Sequence, residues 1–262
     1  MQIGEPGPAV TRICQAYPDR VEVRGRDLCG DLMGRLSFTE YFHLLLTGEE
    51  PTDDQRYFLD LLLVAIAEHG MMPSNAAARM TFAAAPDSLQ GAVAAGILGC
   101  GPVILGTSER CAVLLERARE RAAAGAAPEA VAAEMAHEIR SAGSRAPGFG
   151  HPVHTPLDPR AERILELADA RGVSGSYVHL ARCFRAAVAD AWGRPLTMNV
   201  SMPIAAVMLD LGFPSATVKA VPLLARTAGL LAHLAEEARS PAGFAMAGGA
   251  ERAVEYRRDE QP

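Results

Sequence analysis

The stretch Pro147–Arg160, PGFGHPVHTPLDPR, sets one histidine between glycines and prolines and brings an arginine just after Asp158-Pro159. Gly148 and Gly150 let the backbone turn tightly and come close to a ligand. Pro152 keeps His151 out of the α region, so its imidazole sits on a fixed loop. Asp158 reads as a helix N-cap with proline at the first helical position, opening RAERILELADARG. Arg160 then lies in the first turn of that helix. The free N–H groups there favour anions, and a guanidinium adds bidentate carboxylate recognition. The stretch reads as a device that offers an imidazole and a guanidinium to one small anion. The plain alternative is a loop histidine beside a surface arginine.

Working outward, helices dominate. Ser37-Phe-Thr-Glu40 is a capping box ahead of YFHLLLTG, with Gly48 as the stop. Thr52-Asp-Asp-Gln55 repeats the device ahead of RYFLDLLLVAIAEHG, which stops at Gly70. Further helical windows are 73–85, 88–99, 107–124, 128–141, 175–192, 202–211 and 215–239, the last expected to kink at Pro222. Strand signals are sparse. RVEVRG (20–25), with TRIC before it, suggests a small N-terminal β-hairpin. Composition shifts at 108–145, a segment rich in Ala, Arg and Glu that reads as two solvated helices. The expectation is an all-α protein with a hinge or cleft near 104–150.

Gross composition narrows the function classes. Of 262 residues, 49% are apolar, which is ample for a folded core. The net charge of −6, with basic and acidic residues interspersed, argues against a nucleic-acid or polybasic membrane surface. The run LLLVAIA at 61–67 is far short of the ~18–20 residues a membrane span needs. The N-terminus has no basic start followed by an apolar run, so no signal peptide is expected. Five cysteines without a CxxC pair suggest reduced thiols, a cytoplasmic location and no metal.

Three other residues stand out. His69, at EHGMMPSNAAAR, closes a helix, where a histidine is commonly a dipole partner and less commonly a ligand contact. Arg226, in LLARTAGLLAHLAEE, sits on an apolar helix face and needs an anion, whether Asp, Glu or substrate. His233, further along the same helix, reads as a satisfied core histidine.

Together GFGHPVHTPLDPR, EHGMMPSNAAARM, SLQGAVAAGILGCGP, NVSMPIAAVMLDLGFP and ARTAGLLAHLAEE resemble, in order, the characteristic segments of the citrate synthase superfamily, most nearly its short bacterial citryl-CoA lyase-like members. The likeness runs from about Val21 through nearly the whole chain. It implies a homodimer of helical subunits, each with a large and a small domain around a cleft. Residues 1–105 and 206–262 would form the large, dimerising domain, and 106–205 the small domain on the CoA side. It also implies a reaction in which a CoA thioester enolises and attacks a 2-oxo acid, or the reverse cleavage. His69, His151, Arg160 and Arg226 look like the groups that hold the carboxylated substrate. Gly148 and Gly150 lie where coenzyme A is expected.

Two positions depart from the family pattern. Where active members carry a histidine in GPxHGGAxE, this chain has GPVILGTSE, with Ile104 in the histidine's place. Where they carry the aspartate of NVD, this chain has Ser201. Loss of a positioned acid or base typically costs ~10²–10⁴ in rate. Loss of an enolate-stabilising donor costs a further ~10²–10³. Two functions stay open. One is an enzyme of altered chemistry, with His151 and Ser201 as catalytic groups. The other is a pseudo-enzyme or regulatory subunit that binds a polycarboxylate or CoA. The family often uses an arginine from the neighbouring subunit, and neither of the C-terminal Arg257 and Arg258 is assigned to that role.

Overall fold

Strands β1 (Cys14–Ala16), β2 (Val21–Val23) and β3 (Arg26–Asp27) form a small antiparallel sheet in sequence order, with Cys14 opposite Val23 and Glu22 opposite Asp27. The hairpin expected from RVEVRG is present, and the two-residue β3 adds a third strand. The computed structural model describes residues 9–101 and 105–258. It divides into two units, Met1–Asp60 and Leu61–Pro262.

In the first unit a π-helical turn, Leu28–Leu32, follows the sheet, with Asp27 accepting from the N–H groups of Cys29 and Gly30. Helix α1 (Phe38–Thr47) begins at the expected capping box, in which Ser37 and Glu40 bond reciprocally, and ends at Gly48. Val23, Leu32 and Leu44 bury together, tying sheet, turn and helix. Helix α2 (Asp53–Ala67) starts at the Thr52–Gln55 box and ends three residues before Gly70.

The second unit is helical. Helices α3 (Pro73–Ala84), α4 (Leu89–Leu98) and α10 (Ala220–Glu237) pack on one another, burying Ala78, Ala92, Leu230 and Leu234. Each such leucine contributes about 1.5–3 kcal/mol of burial. The stretch Ser215–Glu237 has the length and composition to cross a membrane, beyond the run at 61–67, yet it packs here on α3 and α4. It is not one kinked helix. A 3₁₀ turn, Ser215–Thr217, precedes α10, so Pro222 falls in the first turn. Its missing N–H would have had no intrahelical partner there, and no kink is required.

Helices α5 (Gly106–Ala123), α6 (Pro128–Ser141), α7 (Pro159–Ala170) and α8 (Ser176–Trp192) surround α9 (Ser201–Asp210) or its neighbours. SMPIAAVMLD has no apolar stripe because every residue from Ser201 to Leu209 is buried. At the far end of α9, the Asp210 carboxylate accepts from the N–H groups of Gly175, Tyr177 and Val178, which caps α8. A final helix, α11 (Gly243–Ala253), lies in a segment not expected to be helical. The mostly helical fold with a small N-terminal sheet agrees with the expectation from sequence.

Candidate functional site

Helix α7 begins as its sequence dictates. Asp158 is fully buried and its Oδ1 accepts from the Arg160 N–H. The same carboxylate grips the Arg160 guanidinium, Oδ1 with Nε at 3.0 Å and Oδ2 with Nη2 at 2.9 Å, and also accepts from the Val200 N–H. Burial works to raise the Asp158 pKa, but the Arg160 contacts outweigh it and hold the carboxyl below its usual range. One residue thus caps a helix, aims an arginine and anchors the start of α9.

The loop before it is zipped to the segment that enters α9. Gly150 N–H donates to Thr197 O, Asn199 N–H to Gly148 O, and Asn199 Nδ2 to Gly150 O. Gly148 and Gly150 both have positive φ, 77° and 88°. A Cβ on Gly148 would lie 2.8 Å from Cys111 Sγ and 2.9 Å from Met202 Cβ, so packing as well as backbone forbids a side chain there. Thr197 Oγ1 lies 3.1 Å from the carbonyls of both His154 and Pro156 and its single O–H is shared between them, across a cis Thr155–Pro156 bond.

This frame brings three imidazoles together. His151 stacks on His154 at 4.4 Å between ring centres, and His69 meets both edge-on at 5.1 and 5.2 Å. His69 Nε2 lies 3.1 Å from His154 Nε2. The N–H groups of Val153 and His154 both donate to His151 Nδ1, so a neutral His151 carries its proton on Nε2. That Nε2 lies 3.4 Å from Arg160 Nη2, leaving two donors side by side with no acceptor between them. Burial, followed by the neighbouring Arg160 and His154, lowers the His69 pKa; burial and His154 lower that of His151.

Arg226 completes the group from α10. It is 3% exposed, and its Nε and Nη1 are buried without a hydrogen-bond partner. Among the described residues no other guanidinium leaves two buried nitrogens unpartnered. His69, His151, Arg160, Arg226 and Ser201 line one cleft of about 250 Å³. The described lining holds no Asp or Glu. Glu68, the nearest carboxylate along the chain, is committed to the His69 N–H, Asn75 Nδ2 and His233 Nε2. Burial tends to raise its pKa, and the His69 N–H, His233 and the charge of Arg226 more than reverse it. The cleft therefore offers converging donors and positive charge to an anion with several oxygens.

All four residues read from sequence as carboxylate-binding line this cleft, as does Ser201, which opens α9 with its N–H bonded to Asn199 Oδ1. His233 is partnered by Asn75, Arg79 and Glu68, as a core histidine should be. Ile104 lies outside the described residues. Sequence reasoning passed over His154 and Asn199, although His154 stands three residues after His151 and Asn199 begins the quoted NVS. It also took Asp158 only as a cap, when its carboxylate is what orients Arg160. A second groove of about 980 Å³ adjoins the cleft, sharing Gly150, His151 and Asn199, and adds Arg110, Arg145, Arg194 and Trp192.

The family model for the citrate synthase C-terminal domain matches residues 11–243. A citrate synthase of Heyndrickxia coagulans is 27% identical over 205 residues, 77% of this chain and 52% of its own length. The citrate synthase-like protein oryE of Aspergillus oryzae is 30% identical over 229 residues, 83% of this chain and 49% of its own. The chain thus spans about half the length of the curated relatives it matches. Among solved structures, citryl-CoA lyase from Hydrogenobacter thermophilus superposes with a TM-score of 0.83 at 29% identity, covering 97% of this chain and 96% of that one. ATP citrate lyase from Methanothrix soehngenii, solved with citrate and coenzyme A, shares the fold at a TM-score of 0.77 and 22% identity over 99% of this chain and 43% of its own. The order of motifs, the helical fold and these matches agree: the chain belongs to the citrate synthase family.

Proposed function

We propose that this protein binds a carboxylated substrate and a CoA thioester and makes or breaks a carbon–carbon bond between them, as a citryl-CoA lyase-like protein of altered chemistry. The observation that carries the reading is the Arg226 guanidinium, whose buried Nε and Nη1 have no hydrogen-bond partner, facing the same cleft as His69, His151 and Arg160. A buried cation without a partner is costly, and a substrate carboxylate removes that cost. The adjoining groove suits coenzyme A. Arg110, Arg145 and Arg194 match its phosphates, Trp192 offers a stacking face for adenine, and every residue of that groove falls within 106–205. This supports the division into a CoA-side domain of 106–205 and a larger domain of 1–105 and 206–262. Dimerisation through the larger domain and a cytoplasmic location belong to the same proposal.

The chemistry must differ from that of relatives with the NVD aspartate, because Ser201 occupies that position and the described cleft lining has no carboxylate. Ser201 can donate a hydrogen bond to a carbonyl oxygen or hold a water, and His151 Nε2–H can polarise the same oxygen. Proton removal from carbon then falls to His69, because His151 Nδ1 is already taken by two N–H groups; the lowered pKa of His69 favours its neutral, basic form. The missing carboxylate also favours a second reading, a binding protein that senses polycarboxylates or CoA.

Two measurements divide these readings. Citrate, oxaloacetate, CoA and acetyl-CoA should each raise the apparent melting temperature, as ligands of the native state do. Solvent deuterium should exchange into acetyl-CoA in the presence of oxaloacetate if the site enolises thioesters. Stabilisation by the ligands without exchange selects the sensor. No stabilisation by any carboxylate overturns both.

A further inference from the structure

Among the described residues, ligand atoms suited to a metal ion converge at two places in the second unit, each set lying within 4.8 Å. His69, His151 and His154 form one, but His69 and His151 line the cleft with Arg160 and Arg226, and a cation there would meet two guanidiniums. The other set shares no residue with the cleft or its adjoining groove. Glu129 stands in the first turn of α6, and His179 and Cys183 lie one turn apart on α8, the helix packed against α6. Cys183 Sγ is 3.7 Å from His179 Nε2 and 3.8 Å from Glu129 Oε1, and His179 Nε2 is 3.4 Å from Glu129 Oε1.

These spacings are long for hydrogen bonds and right for shared coordination. A tetrahedral ion with bonds of ~2.3 Å to sulfur and ~2.0–2.1 Å to nitrogen and oxygen holds its ligand atoms about 3.3–3.6 Å apart. The observed edges to sulfur are longer by only about 0.1–0.3 Å, and the nitrogen–oxygen edge matches. Cys183 is partly buried while His179 and Glu129 are exposed, so an ion can enter and keep a water in the fourth position. The adjacent cation, Arg182, is occupied by Asp169 at 2.6 Å.

We infer that Glu129, His179 and Cys183 form a binding site for a divalent transition-metal ion of the zinc class, joining α6 to α8. On binding, Cys183 releases its thiol proton to solvent and ligates as thiolate, and His179 ligates as neutral imidazole. Thiolate and carboxylate together balance the charge of the ion. The sequence offers no CxxC signal for this site because its ligands come from two helices that only the packing brings together.

Cobalt(II) is the probe. The 262-residue chain, freed of metal by chelator and kept reduced, should bind one cobalt ion per chain with thiolate-to-cobalt absorption in the near ultraviolet, and zinc should displace it. Cys183→Ser should abolish that absorption. Glu129→Gln, an exposed change that keeps the thiol and threatens no packing, should weaken cobalt binding ~10-fold or more. The double change Cys14→Ser and Cys29→Ser, at the exposed thiols, should leave the signal intact. Zinc should raise the apparent melting temperature of the wild type and not of Cys183→Ser. Cobalt bound without thiolate absorption, absorption that survives Cys183→Ser, or an affinity unmoved by Glu129→Gln overturns the inference.

Discussion

Two arginines of the second unit are almost equally hidden from solvent, Arg79 on α3 at 4% and Arg226 on α10 at 3% exposed. Their surroundings are opposite. Arg79 bonds Glu237 at 2.7 Å and Glu236 at 2.6 Å, and reaches His233 Nδ1 at 3.2 Å. Burial works against its charge, but the two carboxylates more than offset this and raise its pKa. Glu237 in turn accepts from the N–H groups of Ala242 and Gly243, which fixes the start of α11. Arg226 has two buried nitrogens and no partner for either. Equal burial therefore does not mean equal role. A saturated cation ties α3 to α10 and α11, whereas an unsaturated one keeps donors free, which is why the proposed function gives it an anion brought from outside.

The contrast can be broken most forcefully at Arg79. Arg79→Ala leaves the buried Glu237 unpaired and should cost about 3–5 kcal/mol in urea unfolding. A loss below about 1 kcal/mol would mean that the cluster is not structural. Asp158→Ala should rank second, at about 2–4 kcal/mol, because it removes a cap and strands the Val200 N–H and the Arg160 guanidinium. It should also weaken carboxylate binding, since Arg160 loses what aims it.

Arg226→Met should invert the Arg79 result. Unfolding stability should stay within about 1 kcal/mol of wild type or rise, because an unpaired buried charge is replaced by an apolar chain. Citrate and oxaloacetate affinity should fall about 10–100-fold, the loss of one charged hydrogen-bonding group, as read by calorimetry. A stability loss comparable to that of Arg79→Ala would show that Arg226 has a protein partner after all.

The smallest expected effect is on pH. His69 and His151 have folded pKa values below the ordinary ~6.5, so their stabilising neutral form is complete above that value and stability is lost as pH falls towards the folded pKa. An anion in the cleft offsets the neighbouring guanidinium charge and raises both values. Oxaloacetate should therefore bind with uptake of protons and a few-fold tighter as pH falls from about 7.5 to about 6. Calorimetry in buffers of differing ionisation enthalpy measures the uptake; zero or negative uptake would detach the histidines from the anion site.

Much of the site was legible because its residues are local. The Asp158–Pro159 start, the glycines at 148 and 150, and the His151–Arg160 pairing lie within one loop and one helical turn, and short-range backbone rules govern them. Capping boxes at Ser37 and Thr52 were legible for the same reason. Helix α11 was missed because its anchor is Glu237 on the preceding helix, not a cap of its own. The kink at Pro222 was misjudged because one helix window hid a 3₁₀ turn and a new start at Ala220.

The chain by itself determined that helices dominate, where most of them begin, and which residue types are available to grip an anion. Those outcomes follow from hydrogen bonds and apolar periodicity over a few residues. Only the tertiary structure decided that Arg226 leaves two buried nitrogens without an acceptor while Arg79 bonds two carboxylates, that no described carboxylate lines the cleft, and that Glu129 meets His179 and Cys183. Whether a buried charge is satisfied depends on groups far away along the chain, and distance through space is the one quantity a linear pattern does not carry.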